Sequence, residues 1–241
     1  MLTNHKPIAL WSVPRSMSTA FERVFVERGD FEVFHEPFSA SYYYSTERRS
    51  DRFANEEPRA EYRYDKVLAE ILAPGETPVF FKDMAYHVTG FLIPELVTGL
   101  RNTFIIREPR SVLASLYKMW PDFTFEEAGY EELHRLFGYA IEEGQEPIVV
   151  DALDLSGNPE RVVGAYCEAL DIPFIPEALS WEPREVPEWK MWDAWHENAQ
   201  KSTGISRVSC GKEVALPKEL EEVYRRCLPY YEALHAERLC V

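Results

Sequence analysis

The chain has no Cys-x-x-Cys pair, no Gly-rich phosphate signature and no apolar run of membrane-spanning length, and each absence removes a class of protein. Its four cysteines, Cys167, Cys210, Cys227 and Cys240, lie far apart, which predicts reduced thiols in an intracellular setting and no disulfide framework. His35, His87, His134 and His196 match neither H-E-x-x-H nor a Cys/His zinc spacing, so no metal is expected. The signature G-x-x-x-x-G-K-[ST] is missing, which weakens a reading as an ATP- or GTP-hydrolysing enzyme. The opening residues MLTNHKPIALW lack the apolar stretch of a signal peptide. Positive charge is scarce too: 26 Lys and Arg against 41 Asp and Glu give a net charge of −15. Nucleic acids and anionic membranes favour basic surfaces, so neither is an expected partner. The expectation is a soluble, cytoplasmic protein in which any anion pocket is a local basic focus.

What is present is enough apolar residue for a single core. At 241 residues and 46% hydrophobic composition, the chain is expected to form one domain over residues 1–241. Short apolar runs, at Ile8 to Val13, Phe31 to His35, Val79 to Lys82, Asn102 to Arg107 and Pro147 to Asp151, read as five strands. Between them lie helical patterns from Ala20, over Glu61 to Leu72, Thr89 to Leu100, from Pro109 to about Tyr117, over Phe125 to Ile141 and over Asn158 to Leu170. A last helix spans Leu220 to Leu234, with a kink or break expected at Pro229. This alternation predicts parallel β-α units whose strands are covered on both faces. Ser39 to Arg63, polar and studded with tyrosines, reads either as an excursion that shapes a pocket or as an exposed connecting loop. The Trp-rich stretch from Pro173 to Trp195 reads as a loop packed across the body.

Ile8 to Arg28 changes its hydrophobic period in the middle, from a buried strand to a helix with Phe21, Val24 and Phe25 on one stripe and Glu22, Arg23 and Glu27 on the other. The turn between them carries Arg15, Ser16, Ser18 and Thr19. A strand that turns directly into a helix aims unpaired N–H groups and a partial positive charge at one spot, which suits an anion with several oxygens. Thr19 and Glu22 fit an ordinary capping box equally well. In an open parallel sheet ligands bind beyond the carboxyl ends of the strands, and those ends carry Arg15 and Ser16, His35 and Glu36, Lys82 and Asp83, and Arg107. Cations at three of four ends, in so acidic a chain, favour an anion site.

The segment PRSMST resembles the 5′-phosphosulfate loop of sulfotransferases, the turn that holds the 5′ end of 3′-phosphoadenosine 5′-phosphosulfate (PAPS), with Met17 where a Gly would ease the turn. IIREPRSVLASLYK is similar to the family's 3′-phosphate element, in which Arg107 and the Ser eight residues on, Ser115, would bind the cofactor's 3′-phosphate. PIVVDALDLSGNPERVV resembles a later stretch of the family, and WHENAQKSTGISR looks like a loop that folds over the nucleotide. The resemblance implies a three-layer α/β/α, P-loop NTPase-like sulfotransferase fold with a central parallel sheet of about five strands. The cofactor contacts it implies are Arg15, Ser16, Met17, Ser18, Thr19, Arg107, Ser115, Lys201, Ser202, Thr203 and Gly204. The substrates would be PAPS, leaving adenosine 3′,5′-bisphosphate (PAP), and a small-molecule hydroxyl acceptor, with no metal required. Glu36 in H-E-P-F matches the catalytic Glu of carbohydrate-type members, with His35 as the rival base and Lys82 as the group that contacts the transferring sulfate. Alternate residues of a strand face opposite ways, so only one of His35 and Glu36 is expected to enter the site, and Glu36 is favoured. The alternatives are a nucleotide or small-molecule kinase, with Asp83 or Asp151 holding Mg²⁺, and a catalytically silent nucleotide-binding protein.

Overall fold

The computed structural model of the chain describes residues 6–91, 94–208 and 214–241. Five strands, β1 Ile8–Ser12, β2 Glu32–His35, β3 Val79–Met84, β4 Arg101–Ile106 and β5 Ile148–Asp151, form one parallel sheet in the order β2-β3-β1-β4-β5. The central strand is the sequence IALWS, buried at every position, because both of its edges are paired and both of its faces are covered. Successive residues serve opposite faces, as the pleat requires. Ile8, Leu10, Phe80, Ile105 and Val150 enter one core, while Ala9, Trp11, Phe81, Phe104 and Val149 enter the other.

Among the described residues are eleven α-helices, besides short 3-10 turns: α1 Ser18–Arg28, α2 Ser39–Tyr44, α3 Tyr64–Ile71, α4 Pro94–Thr98, α5 Pro109–Met119, α6 Phe125–Ala128, α7 Tyr130–Glu142, α8 Ala152–Gly157, α9 Pro159–Ala169, α10 Asp193–Gln200 and α11 Glu221–Ala236. Helices α1 and α9 supply Phe21, Val24, Phe25, Val162, Val163 and Tyr166 to the first core. Helices α3, α4, α5, α7 and α11 cover the second. The result is the three-layer α/β/α arrangement expected from the sequence. Phe25 is fully buried and stacks on Phe80 with centroids 3.7 Å apart. Truncation to Ala leaves a cavity between helix and sheet, so Phe25→Ala is expected to cost about 3–5 kcal/mol of stability in urea denaturation.

The structure changes or narrows the sequence reading in four places. The helix expected over Phe125 to Ile141 is two, because Gly129, at φ 83°, ends α6 and opens α7. The stretch Thr89 to Leu100 yields only α4, with residues 92 and 93 outside those described. Pro229 lies inside α11 without interrupting it. The segment from Ser39 divides: Tyr42 and Tyr43 of α2 are buried, and the Tyr42 hydroxyl donates to Glu126 Oε1 at 2.8 Å, whereas residues 46–63 are an exposed or half-buried connection. Cys167 and Cys227 are buried free thiols, Cys240 is an exposed one, and Cys210 lies outside the described residues.

Candidate active site

At the carboxyl edge of the sheet the chain leaves β1 through a tight turn. Ser16 Oγ donates to Val13 O at 2.7 Å, and both Arg15 (φ 60°) and Met17 (φ 71°) are left-handed. Non-Gly residues in that region cost roughly 1–3 kcal/mol each and persist where the surroundings over-determine them. The turn presents the start of α1 with no side-chain cap, so its first N–H groups face the cavity lined by Ser16, Met17, Ser18 and Thr19. The capping-box alternative does not form, because Glu22 is engaged elsewhere.

This cavity, of about 300 Å³, is bounded by Arg15, Glu36 and Arg107 from the strand ends and by an aromatic wall of Tyr43, Tyr86, Trp120, Trp192 and Trp195. Arg15 Nε donates to Ser115 Oγ at 3.0 Å and its Nη1 to Trp195 O at 3.3 Å. Arg107 Nη1 donates to Arg15 O at 2.9 Å, which ties the two strand ends together. Burial lowers the pKa of both guanidiniums, and Arg107 lowers that of Arg15 further. Arg107 Nε and Ser111 Oγ, both buried, have no hydrogen-bond partner.

Behind the cavity lies an ion pair. Lys82, fully buried in the carboxyl half of β3, which runs two residues beyond the expected end, donates from Nζ to Glu36 Oε1 at 2.5 Å. Burial pushes the Glu36 carboxyl up, but Lys82, and then His35, His87 and His196, outweigh it and hold the group well below the ordinary carboxylate range. Strand alternation ends at this point because Glu36 adopts φ 46°. The His35 ring and the Glu36 carboxylate therefore converge, with Nε2 and Oε1 3.6 Å apart, instead of facing opposite ways as expected.

The Trp-rich stretch crosses α1 as a strap. Trp189 Nε1 donates to Glu22 Oε1 at 2.7 Å, and the buried Arg23 guanidinium lies 5.7 Å from the Trp181 and Trp189 rings. Glu22 and Arg23, expected on the solvent stripe of α1, are consequently fully buried. The strap delivers His196, on α10, to the site, where its Nε2 lies 2.8 Å from His35 Nε2 and its Nδ1 3.3 Å from Thr19 Oγ1. Glu22 Oε2 accepts from His35 Nδ1 at 2.8 Å.

Neither Glu22 nor His196 is evident as a site residue in the sequence. The available signal was an acid on α1 followed by a strap rich in tryptophan, the donor-only indole that a buried carboxylate needs. Of the late loop, Ser202 and Gly204 line the cavity. Lys201 and Thr203 do not: Lys201 is exposed and pairs with Glu197, and Thr203 is exposed with its carbonyl accepting from Trp181 N.

Two of the histidines, His35 and His196, are distant in sequence but meet in space. Ligand atoms of His35, Glu36 and His196 lie within 4.8 Å of one another, near enough for a metal ion. The Lys82 ammonium already occupies Glu36 Oε1, however, and an added cation would sit against it, so the carboxylate is assigned to Lys82. The two carboxylates that a kinase would use are also committed. Asp83 accepts from Phe38 N, Met84 N and His87 Nδ1 at 2.6–2.7 Å, and Asp151 accepts from Leu153 N at 2.7 Å and from Tyr231 Oη at 3.2 Å.

The fold that carries this site is shared by known proteins. A solved sulfotransferase domain from the olefin synthase of Synechococcus PCC 7002 superposes with a TM-score of 0.60 at 15% identity, over 97% of this chain and 96% of that one. Mouse sulfotransferase SULT7A1, solved in complex with PAP, superposes with a TM-score of 0.50 at 11% identity, over 98% of this chain and 87% of that one. At such identities the likeness is one of fold. In sequence, the chain is 32% identical over 232 residues to branched-chain-amino-acid aminotransferase-like protein 2 of Arabidopsis thaliana, a match over 94% of this chain. It spans only 41% of that relative's length. The model of the sulfotransferase domain matches residues 6–238, nearly the whole chain, and with the fold and the loop agreeing the chain belongs to the sulfotransferase domain family.

Proposed function

We propose that the chain transfers a sulfuryl group from PAPS to a hydroxyl of a small, flat acceptor. The observation that carries this reading is the donor set at the ends of β1 and β4. Two desolvated guanidiniums stand together, and Arg107 Nε and Ser111 Oγ are buried without partners. Leaving such groups unpaired is costly, and an anion relieves both penalties at once. The set fits a nucleotide with phosphates at both the 5′ and 3′ positions, the first on Arg15 and the Ser16–Thr19 turn, the second on Arg107 with Ser111 and Ser115. A Mg²⁺-dependent kinase is disfavoured because Asp83 and Asp151 are already committed to hydrogen bonds. When bound, PAPS supplies a sulfuryl group on a phosphate able to leave.

The chain's own residues do the rest. Lys82 opposes the charge that grows on the leaving oxygen. Glu36 holds Lys82 and orients the acceptor hydroxyl. Its depressed pKa makes it a weak proton acceptor, since a general base works best with a pKa near the operating pH. The aromatic wall admits a planar acceptor and excludes water. The chain's own family supports the chemistry, and the neighbour solved with PAP supports the nucleotide by analogy.

The test is a melting experiment. At about a hundredfold excess over its Kd, PAP is expected to raise Tm by roughly 5–10 °C for a chain of this size, and ATP with Mg²⁺ far less. A larger shift with ATP and Mg²⁺ would favour the kinase.

A further inference from the structure

His35 and His196 come from distant parts of the chain, the end of β2 and helix α10, yet their rings meet edge-on, with centroids 4.5 Å apart at an interplanar angle of 87°. This is the geometry of a hydrogen bond between the two Nε2 atoms, 2.8 Å apart, and not of a stacked pair. The other nitrogen of each ring is occupied as well, His35 Nδ1 by Glu22 Oε2 and His196 Nδ1 by Thr19 Oγ1. An indole N–H only donates and a carboxylate only accepts. Trp189 therefore fills Glu22 Oε1, and the His35 Nδ1–H fills Oε2. With that proton placed, neutral His35 offers Nε2 as an acceptor to the His196 Nε2–H. His196 Nδ1 is then a bare lone pair that takes the Thr19 hydroxyl proton. With both rings neutral, one placement of protons satisfies the whole chain of bonds, and it leaves a single basic nitrogen on the cavity side, where Thr19 and His196 both line the wall.

Building on the sulfuryl-transfer reading, we propose that the acceptor's proton leaves through these two imidazoles, with His196 receiving it, His35 storing the charge and Glu22 holding His35 in the required tautomer. The acceptor O–H proton passes to His196 Nδ1 as the His196 Nε2 proton passes to His35 Nε2. The O–S bond forms while the S–O bond to the phosphate breaks, and its electron pair stays on the phosphate oxygen opposite Lys82. His35 ends as an imidazolium against the buried Glu22 carboxylate, with Glu36 3.6 Å from its Nε2. The proton returns along the same path to solvent after the product leaves.

The surroundings of His196 suit it to this part. Burial first, then His35 and Lys82, push its pKa down to about 2, so it cannot keep a charge. The relay never asks it to, because it gains at one nitrogen what it gives up at the other. The charged groups facing the pair are Glu22, Glu36, Lys82 and Arg15, and the two carboxylates flank His35. His35 cannot meet an acceptor directly, since its side chain is 1% exposed. Thr19 then acts as a latch: once its hydroxyl turns to a phosphate oxygen, His196 Nδ1 is free for the acceptor.

The test has a spectroscopic arm and a kinetic arm. Ring ¹⁵N shifts of the full chain with PAP are expected to show His35 protonated at Nδ1 and His196 at Nε2; His196 protonated at Nδ1 would overturn the relay. In the kinetic arm, labelled PAPS is turned over with water and with 2-naphthol as acceptors. His196→Ala is expected to lose at least about 10²-fold in kcat, with PAP affinity within a few-fold, and to regain part of its activity with added imidazole. His35→Ala should lose a similar amount without rescue, because its site is enclosed. Glu22→Gln should lower kcat and leave KM unchanged. Should Glu22→Gln not fold, Trp189→Phe, which removes the indole N–H to Glu22 together with some buried ring volume, should show the same split more weakly. A parent that turns over alongside an unaffected His196→Ala sinks the relay alone. A parent that releases no labelled sulfate to either acceptor sinks the transferase reading and the relay with it.

Discussion

Replacing Lys82 by Met is expected to show two large losses that can be measured separately. Met fills most of the volume but leaves the Glu36 carboxylate buried beside no cation. Removing one partner of a buried ion pair typically costs 3–5 kcal/mol, so urea denaturation of Lys82→Met should show a stability loss of about that size. Turnover with PAPS should fall by about 10²–10³-fold, the usual effect of deleting one preorganised group from the site of developing charge. The double variant Lys82→Met with Glu36→Gln should regain most of the stability, because no buried charge is left unpaired, and none of the turnover.

The sign of the pH dependence follows from Glu36. Its folded-state pKa is lowered from the ordinary 4.5. The stability it contributes is therefore fully present above that ordinary value and is lost as pH falls from there toward the folded pKa. The parent should lose stability on acidification through this window, and the double variant should lose less. If Lys82→Met is as stable as the parent at neutral pH, Glu36 is not carried as a buried anion and the pair is misassigned.

The sequence exposed those parts of the molecule that depend on local pattern. The five strands are short apolar runs whose positions owe little to distant residues, and Pro109 and Pro159 mark the starts of α5 and α9 by their fixed geometry. The site residues at strand ends could be read because strand direction alone puts Arg15, Lys82 and Arg107 on one edge. What local pattern misses is whatever a later segment covers. Glu22 and Arg23 have the spacing of a solvent stripe, and only the strap, more than 150 positions downstream, turns that stripe into an interior. His196 is invisible for the same reason, since its partner His35 is 161 residues away. The alternation rule failed at His35 and Glu36 because one backbone torsion, φ 46° at Glu36, rotates the second side chain back toward the first.

Arg107→Lys is expected to weaken PAP by about 10- to 150-fold in isothermal titration while the fold and the affinity for adenosine 5′-phosphate stay nearly unchanged. The substitution retains the positive charge, and the ammonium can still reach Arg15 O, so the strand ends stay tied. What it removes is the planar fork and with it Nε, the buried donor that has no partner in the chain. A charge-assisted hydrogen bond lost without replacement costs about 1.5–3 kcal/mol, which sets the range. Ser111→Ala removes the second unpartnered atom with little change of volume and should weaken PAP by a smaller factor in the same direction. The comparison with adenosine 5′-phosphate places the effect at the 3′ end of the nucleotide, because a general loss of fold or of loop geometry weakens both ligands alike. Equal weakening of both would mean that Arg107 acts by holding the Arg15 turn. Unchanged PAP affinity would mean that the 3′-phosphate lies elsewhere and that the orphaned donors serve another anion.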